Sequence, residues 1–176
     1  MFISSLHLLG RLVPLIMLIG GLFLLKDKEV LFNYFIWGYF FNFLLNLLLK
    51  AIFREPRPIH NADVLKAMSD YNILHHRTVY FIPFQTYGMP SGHSQTAFFC
   101  TCFLTLALHN NKVTLFFAFL TLVTMIQRVQ GYFHTCWQVF VGSVVGALFG
   151  VLMYYMASQR LMGKLLAKPD DYAFFS

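Results

Sequence analysis

Six polar side chains in three separate stretches of the sequence have the types expected of a site for phosphoryl chemistry. Two of them are histidines, which could divide the work: a neutral imidazole attacks phosphorus while a protonated one gives its proton to the leaving oxygen. Three are cations that suit an anion with several oxygens, and Arg binds phosphate in a bidentate way. Because these cations neutralise the developing charge, no metal or other cofactor is expected. The six are Lys50, Arg57, Ser91, His93, Arg128 and His134.

The stretch PSGH has the features of a helix start that faces an anion. Pro90 and Ser91 suit the first positions of a helix, and Gly92 allows the backbone to approach a ligand closely. A helix start also offers N–H groups and the positive end of the helix dipole. We therefore expect Ser91 Oγ and the neighbouring amides to hydrogen-bond a phosphoryl group, with His93 one residue further on.

The composition predicts an integral membrane protein. Of the 176 residues, 58% are hydrophobic and only 11% are charged, whereas soluble domains usually carry about a quarter charged residues. The formal charge is +6, but the basic residues are scattered, so no nucleic-acid partner is indicated. The three cysteines match neither a disulfide framework nor a zinc pattern. The N-terminus lacks the charged start and the cleavage site of a signal peptide and is expected to remain in the mature protein.

Five apolar segments come close to the length of about 20 residues that a membrane-spanning helix needs. We predict an all-α, polytopic membrane helix bundle that forms a single domain over residues 1–176. A surface loop with one or two short helices is expected over residues 54–90, and a tail with a short amphipathic piece over residues 160–176. The five segments are 8–25, 30–53, 91–108, 113–128 and 136–157.

Counting membrane crossings places the six candidate residues on one side of the membrane. The second segment ends, the third begins, the fourth ends and the fifth begins on this side, here called the active face. When the candidate cations are set aside, basic residues are more frequent at the opposite side, so the positive-inside tendency predicts an active face outside the cytosol, in a lumen or the periplasm. The opposite side carries Lys26, Lys28, Lys112, Arg160, Lys164 and Lys168, and the active face carries Arg54, Lys66 and Arg77 besides the candidate cations.

Two four-residue repeats predict how the helices face each other. Glycines repeat along one side of the fifth segment and predict close approach of a neighbouring helix backbone; they are Gly142, Gly146 and Gly150. Polar residues repeat along the second segment, at Asn42, Asn46 and Lys50. Polar groups at membrane depth are expensive, so this stripe predicts either hydrogen bonds between helices or the lining of a site.

Three motifs in this order resemble the signature of the type 2 phosphatidic acid phosphatase (PAP2) superfamily. They are KAIFREPRP, PSGH and RVQGYFH. The resemblance implies metal-independent hydrolysis of a lipid phosphate by a helical bundle. It implies that His134 is the nucleophile that forms a phosphohistidine and that His93 is the general acid. The residues that it implies for phosphate binding are Lys50, Arg57, Ser91, Gly92 and Arg128.

Two positions depart from the usual third motif of that superfamily. Gln127 stands where Ser usually precedes the Arg, and Gln138 stands where an Asp usually orients the nucleophile. The stretches YGMPSGHSQ and HTCWQV are similar to the dolichyldiphosphatase branch, which carries Gln at the second of these places. We therefore expect Gln138 to orient His134 through a neutral hydrogen bond, although Gly92 resembles the general superfamily more than this branch.

The resemblance predicts a membrane phosphatase that converts a polyprenyl, dolichyl-like diphosphate to the monophosphate and inorganic phosphate. Two alternatives stay open: a phosphatidate-type lipid monophosphate phosphatase, and a non-catalytic relative that binds lipid phosphates. The expected partners are the lipid diphosphate and membrane lipids, while the oligomeric state and the prenyl chain length stay open. The expected location is the endoplasmic reticulum membrane for a eukaryotic-type chain and the plasma membrane otherwise.

Overall fold

Five α-helices make up the structure, a computed structural model that describes residues 2–58 and 87–166, with side chains described for 10–58 and 87–163. Within these ranges the backbone forms no strand, only an isolated bridge between Pro56 and Tyr87. The predicted all-α bundle is therefore confirmed. The helices are α1 (Phe2–Leu25), α2 (Glu29–Phe53), α3 (Gly92–Leu108), α4 (Asn111–Gln130) and α5 (Cys136–Leu166).

Three of these helices are long and apolar enough to cross a membrane, namely α2, α4 and α5 over Cys136–Gly163. The stretch Gly10–Leu25 of α1 is a shorter apolar helix. Large apolar side chains point outward along the bundle, such as Phe23, Leu115 and Leu148, each at least 67% exposed. An outward apolar surface on long helices suits a lipid environment, in which every backbone polar group is bonded within its own helix.

The helix ends differ from the predicted segments mainly at the two ends of the chain. α1 begins at Phe2, and α5 continues past Arg160 to Leu166, where a separate tail piece was predicted. Good helix formers follow Arg160 and no proline interrupts before Pro169, so nothing ends the helix at the edge of its apolar run. The short helices predicted within 54–90 fall largely on residues 59–86, outside the described residues, as do His60, His75 and His76.

The glycine repeat on α5 forms the contact with α3, as predicted. A Cβ atom on Gly142 would meet backbone atoms of Ser91, and one on Gly146 would overlap the backbone of Gln95. Gly150 lies in the same way against the backbone of Phe99. Because no side chain separates the two helices along this line, the beginnings of α3 and α5 are held at a fixed and short distance.

The polar repeat on α2 bonds to the beginning of α3. Asn46 Nδ2 donates to Gln95 Oε1 at 2.8 Å and to the Pro90 carbonyl at 3.2 Å. Gln95 Nε2 in turn donates to Asn42 Oδ1 at 3.0 Å. All three amides are buried, so these bonds fix the register between α2 and α3. Both interpretations of the repeat hold, since Asn46 and Lys50 also line the cavity described below.

Candidate active site

A cavity of about 390 Å³ lies at the active face. Its walls include six of the eight predicted site residues, contributed by α2, α3, α4 and the segments that follow α2 and α4. The counting of membrane crossings therefore brought the correct helix ends together. No group of three or more His, Cys, Asp or Glu side chains that could hold a metal occurs in the described part of the chain. The six residues are Lys50, Arg57, Gly92, His93, Arg128 and His134.

His134 lies in the short connection between α4 and α5 and is 3% exposed. Its Nδ1 lies 2.8 Å from the carbonyl oxygen of Gly88. Because a carbonyl only accepts, the neutral ring carries its proton on Nδ1, and Nε2 keeps its lone pair. Burial, together with the charges of Arg57, Lys50 and Arg128, holds the pKa of His134 well below its ordinary value. The imidazole is therefore neutral at physiological pH, as a nucleophile requires.

Two arginines bring unpaired donors to the cavity. Arg57 Nη1 donates to the carbonyl of Phe133 at 3.2 Å, but its buried Nε has no partner in the described structure. The buried Nε and Nη2 of Arg128 likewise have none. Burial lowers the pKa of Arg57 from its ordinary value, although an arginine remains charged at physiological pH. Buried guanidinium N–H groups without acceptors are costly, and phosphate oxygens would satisfy them in a bidentate geometry.

Lys50 completes the group of cations predicted from the sequence. It is 4% exposed, and its Nζ donates to the carbonyl of Tyr87 at 3.0 Å. The bond to Tyr87 holds the ammonium at the cavity, which Lys50 lines together with Arg57 and Arg128.

Phe133 organises the arginines around the cavity. Its ring lies 4.8 Å from the guanidinium carbon of Arg128 and 5.9 Å from that of Arg11, both within the range of a cation–π contact. Its carbonyl accepts from Arg57. Arg11, on α1, also lines the cavity and was not predicted from the sequence. The sequence held one signal for it, because Arg11 is a lone cation in the first apolar segment. It lies near the end of that segment that the crossing count assigns to the active face.

The first turn of α3 contributes Gly92 and His93. Both line the cavity, and His93 hydrogen-bonds the backbone of Arg11. A side chain at position 92 would crowd Asn46, because a Cβ there would lie 3.0 Å from its Oδ1. The N–H groups of the first helical turn have no partners within the helix, so this turn can present donors to an anion.

Ser91 lies behind the cavity wall, and the prediction that it binds phosphate directly is wrong for this geometry. The residue is fully buried and does not line the cavity. Its backbone N–H donates to the carbonyl of Gln138 at 3.0 Å, and its Oγ accepts from Ser94 Oγ at 3.1 Å. Close packing against Gly142 of α5 keeps it there. Ser91 therefore positions the start of α3, while Gly92 and His93 line the cavity.

Gln138 does not orient His134 directly, so that prediction is also wrong. Its Nε2 donates to Glu55 Oε1 and to the Pro56 carbonyl, both at 2.9 Å, and its Oε1 accepts from the backbone N–H of Thr135 at 3.2 Å. The Oε1 atom, which would have to accept the Nδ1 proton of His134, is bonded to Thr135 instead, and that proton goes to the carbonyl of Gly88. The carbonyl of Gly88 takes the role that was assigned to Gln138.

Gln138 supports that carbonyl from behind. A Cβ atom on Gly88 would overlap the Gln138 amide, so a glycine fits best between that amide and the imidazole of His134. The N–H of Gly88 donates to the Glu55 carbonyl at 2.7 Å. Gln138 thereby ties α5 to the segment after α2 and to the segment before α3, and His134 is positioned through the carbonyl of Gly88 between them.

Residues 31–162 match the family model of the PAP2 superfamily. The chain belongs to the PAP2 superfamily. The resemblance stated from the three motifs is thereby confirmed, and all eight predicted site residues lie inside the matched range. Arg11 lies outside it.

The chain is similar to three curated relatives. Dolichyldiphosphatase 1 of Dictyostelium discoideum is 28% identical over 155 residues, which cover 81% of this chain and 60% of that relative. Dolichyldiphosphatase 1 of Mus musculus is 30% identical over 177 residues, which cover 88% of this chain and 66% of that relative. Lipid phosphate phosphatase epsilon 1, chloroplastic, of Arabidopsis thaliana is 39% identical over 82 residues, which cover 42% of this chain and 29% of that relative.

The chain spans 60% and 66% of the length of the two dolichyldiphosphatases. No solved structure shows a significant match to the chain.

Proposed function

We propose that this chain is a membrane phosphatase that hydrolyses a polyprenyl diphosphate to the monophosphate and inorganic phosphate. The observation that carries the proposal is the pairing of unsatisfied guanidinium donors on Arg57 and Arg128 with a neutral, buried His134 in one cavity. Such donors suit the oxygens of a phosphoryl group, and the imidazole suits attack on its phosphorus.

The reaction proceeds in two displacements. In the first, His134 Nε2 forms a bond to the terminal phosphorus and the bond from phosphorus to the bridging oxygen breaks. His93 gives that oxygen the proton that it binds once the anionic substrate offsets the positive charges of the cavity. In the second, water gives a proton to His93 and its oxygen bonds to phosphorus, while the phosphorus–nitrogen bond breaks. Inorganic phosphate leaves, His134 is neutral again, and His93 is protonated again. Throughout, Gly88 keeps the imidazole proton on Nδ1.

Fixed cations stabilise the transition state in this mechanism. Charge spreads over the phosphoryl oxygens, and preorganised positive groups stabilise it without reorganising during the reaction. Lys50, Arg57 and Arg128 supply three such charges at the cavity, so the proposed activity needs no added divalent metal. The N–H groups at the start of α3 add to this field.

The apolar side of the cavity supports a lipid substrate. Pro14 and Leu15 of α1 and Phe43 and Leu47 of α2 line it next to the cations. Leu15 and Phe43 are about half exposed on the bundle surface, at 51% and 52%. A charged head group can therefore lie at the active face while its apolar chain extends along α1 and α2 toward the bilayer.

A diphosphate is favoured over a monophosphate on two grounds. The leaving group is then a phosphate monoester, which departs more easily than an alkoxide and demands less of the acid His93. The relatives matched over most of this chain carry the name dolichyldiphosphatase. A lipid monophosphate phosphatase is the second candidate, and the name of the relative from Arabidopsis thaliana, lipid phosphate phosphatase epsilon 1, favours it.

We place the enzyme in a membrane with its active face away from the cytosol. With the cavity cations set aside, more Lys and Arg residues lie at the opposite helix ends than on the active-face side of the sequence, and this excess supports the orientation. The compartment would be the lumen of the endoplasmic reticulum in a eukaryotic-type cell, or the periplasm otherwise.

Phosphate release from purified protein tests the proposed function. The panel consists of a polyprenyl diphosphate, the matching monophosphate and phosphatidate, each with EDTA and with orthovanadate, a mimic of the pentacoordinate phosphorus. We expect the diphosphate to be hydrolysed fastest, EDTA to have no effect and vanadate to inhibit. The variant His134→Ala should lose turnover on the order of a thousandfold and trap no acid-labile phosphate.

The matched control is His109→Asn, which changes an exposed imidazole at the opposite helix end, where the left-handed backbone conformation also accommodates Asn. It should keep the parent rate. A strict requirement for added Mg²⁺, or turnover by His134→Ala within tenfold of the parent, would overturn the mechanism.

A further inference from the structure

Arg11 extends the cationic wall of the cavity beyond the predicted site residues. It lies on α1 and lines the same cavity as Arg128 and His93. A Cβ on Gly10 would overlap the side chain of Gln127, so α1 approaches α4 closely at this point. This contact brings Arg11 next to Arg128, near enough for an electrostatic interaction between the two guanidinium groups.

One aromatic ring fixes the spacing of the two arginines. Phe133 is contacted by Arg128 at 4.8 Å and by Arg11 at 5.9 Å from the ring centroid. The face of the ring attracts each guanidinium, and this contact does not use the N–H groups as hydrogen-bond donors. Arg11 is exposed, whereas Lys50 and Arg128 of the same cavity are buried and Arg57 is half-buried. The side chain is therefore available to an anion that extends outward from the buried cations.

The direction of the reaction places the leaving group beside Arg11. Phosphoryl transfer needs the attacking and leaving atoms roughly in line through phosphorus. With His134 as nucleophile and His93 as acid, the leaving oxygen must lie at His93. The imidazole of His93 hydrogen-bonds the backbone of Arg11, so the leaving group and the Arg11 side chain share one corner of the cavity.

We propose that Arg11 forms a second phosphoryl subsite, which binds the lipid-linked phosphate of a diphosphate while Lys50, Arg57 and Arg128 bind the terminal one. This inference rests on the proposed function and makes that function more specific. A lipid monophosphate has no second phosphoryl group, and its leaving group is an alcohol. Arg11 would then have no anion to bind, so it selects diphosphate lipids over monophosphate lipids.

Substitution of Arg11 tests the subsite. The variants are Arg11→Gln, which removes the charge, and Arg11→Lys, which keeps it, and both change an exposed side chain. The matched control is Arg54→Gln, because Arg54 is an exposed cation at the same membrane face that does not line the cavity. Two quantities are measured: kcat/KM for a polyprenyl diphosphate and its monophosphate, and Kd for inorganic pyrophosphate and inorganic phosphate.

We expect Arg11→Gln to lower kcat/KM for the diphosphate more than for the monophosphate, by roughly tenfold to a hundredfold, the effect of losing a charge-assisted hydrogen bond. The Kd for pyrophosphate should rise by a similar factor relative to that for phosphate. Arg11→Lys should recover part of both losses, and Arg54→Gln should change neither ratio.

An equal loss on both substrates would overturn the inference, since Arg11 would then act on the site as a whole. Unchanged ratios would overturn it as well. The binding measurement does not depend on turnover: a parent protein that hydrolyses no lipid phosphate overturns the proposed function, whereas pyrophosphate that binds no tighter to the parent than to Arg11→Gln overturns the subsite.

Discussion

The imidazole of His134, the proposed nucleophile, is oriented by a backbone carbonyl and not by a side chain. Gly88 accepts from His134 Nδ1, and Gln138 lies directly behind Gly88. A carbonyl fixes the tautomer as a carboxylate would, but it adds no full negative charge beside the imidazole. In the proposed function the cavity cations therefore bind phosphate oxygens without competition from an orienting carboxylate, which suits a substrate with many anionic oxygens.

His134 should stay neutral in the ligand-free protein well into the acidic range. Burial and the neighbouring Arg57, Lys50 and Arg128 lower its pKa, so the folded protein binds this proton later than the unfolded chain as the pH falls. We expect the ring signals of His134 in NMR spectra, assigned by comparison with His134→Gln, to stay unchanged from about pH 8 to about pH 5.5.

The same shift has a consequence for stability. As the pH falls below about 6.5, the unfolded chain takes up the proton first, and His134 then favours unfolding. His134→Gln should lack this contribution, so its stability should fall less between about pH 7 and pH 5.5 than that of the parent. If the imidazole of His134 titrated at about pH 6.5 in the folded protein, the residue would not be held neutral by the cavity.

Individual side chains were predictable where their type alone limits their chemistry. The three predicted cations and the two predicted histidines line the cavity, because polar side chains at helix ends avoid the hydrocarbon core. They are Lys50, Arg57, Arg128, His93 and His134. Gly88 could not be predicted as the orienting group, since any residue can offer its carbonyl. Ser91 and Gln138 were misassigned because their hydrogen bonds depend on how α3 and α5 meet. The backbone N–H of Ser91 donates to the Gln138 carbonyl, and the side chain of Gln138 donates to Glu55.

The contact between α3 and α5 sets the distance on which the site depends. The two helices touch through backbone at Gly142, Gly146 and Gly150, and the bond from Ser91 to the Gln138 carbonyl lies at the end of this line. A wider separation would move His93, at the start of α3, away from His134, which precedes α5. The glycine spacing predicted this contact from the sequence, but it could not identify α3 as the partner helix.

Gly146→Ala should weaken this contact. A Cβ there would overlap the Gln95 backbone, so the helices must separate, and we expect a loss of about 1–3 kcal/mol in stability. Gly163→Ala is the matched control on the same helix, because a Cβ at Gly163 has nothing within 4 Å. In an exposed helix position alanine should be neutral or stabilise by up to about 1 kcal/mol.

Thermal unfolding in detergent, with turnover measured in parallel, compares the two variants. Equal unfolding temperatures for Gly146→Ala and Gly163→Ala would mean that α3 and α5 tolerate a larger separation than their backbone contact indicates.

The candidate site residues lie at one end of the bundle, and its apolar surface lies along the sides. The cavity lies where α2 and α4 end and α3 and α5 begin, so a phosphate head group must reach it from one membrane face. Polar groups do not cross the hydrocarbon core readily. The enzyme would therefore act only on lipids whose head groups lie on that face, and its orientation decides which pool of substrate it uses.

The charge distribution predicts that this face lies away from the cytosol, and cysteine labelling tests the prediction. Cys136 is exposed and lies two residues after His134, while Cys100 is buried within α3. In sealed vesicles with the cytosolic side outward, a membrane-impermeant maleimide should label Cys136 only after permeabilisation. Lys112→Cys, made in a Cys136→Ser background, reports the opposite helix ends and should be labelled without permeabilisation. The reverse pattern would place the cavity on the cytosolic side, and the Lys and Arg residues at the opposite helix ends would then not set the topology.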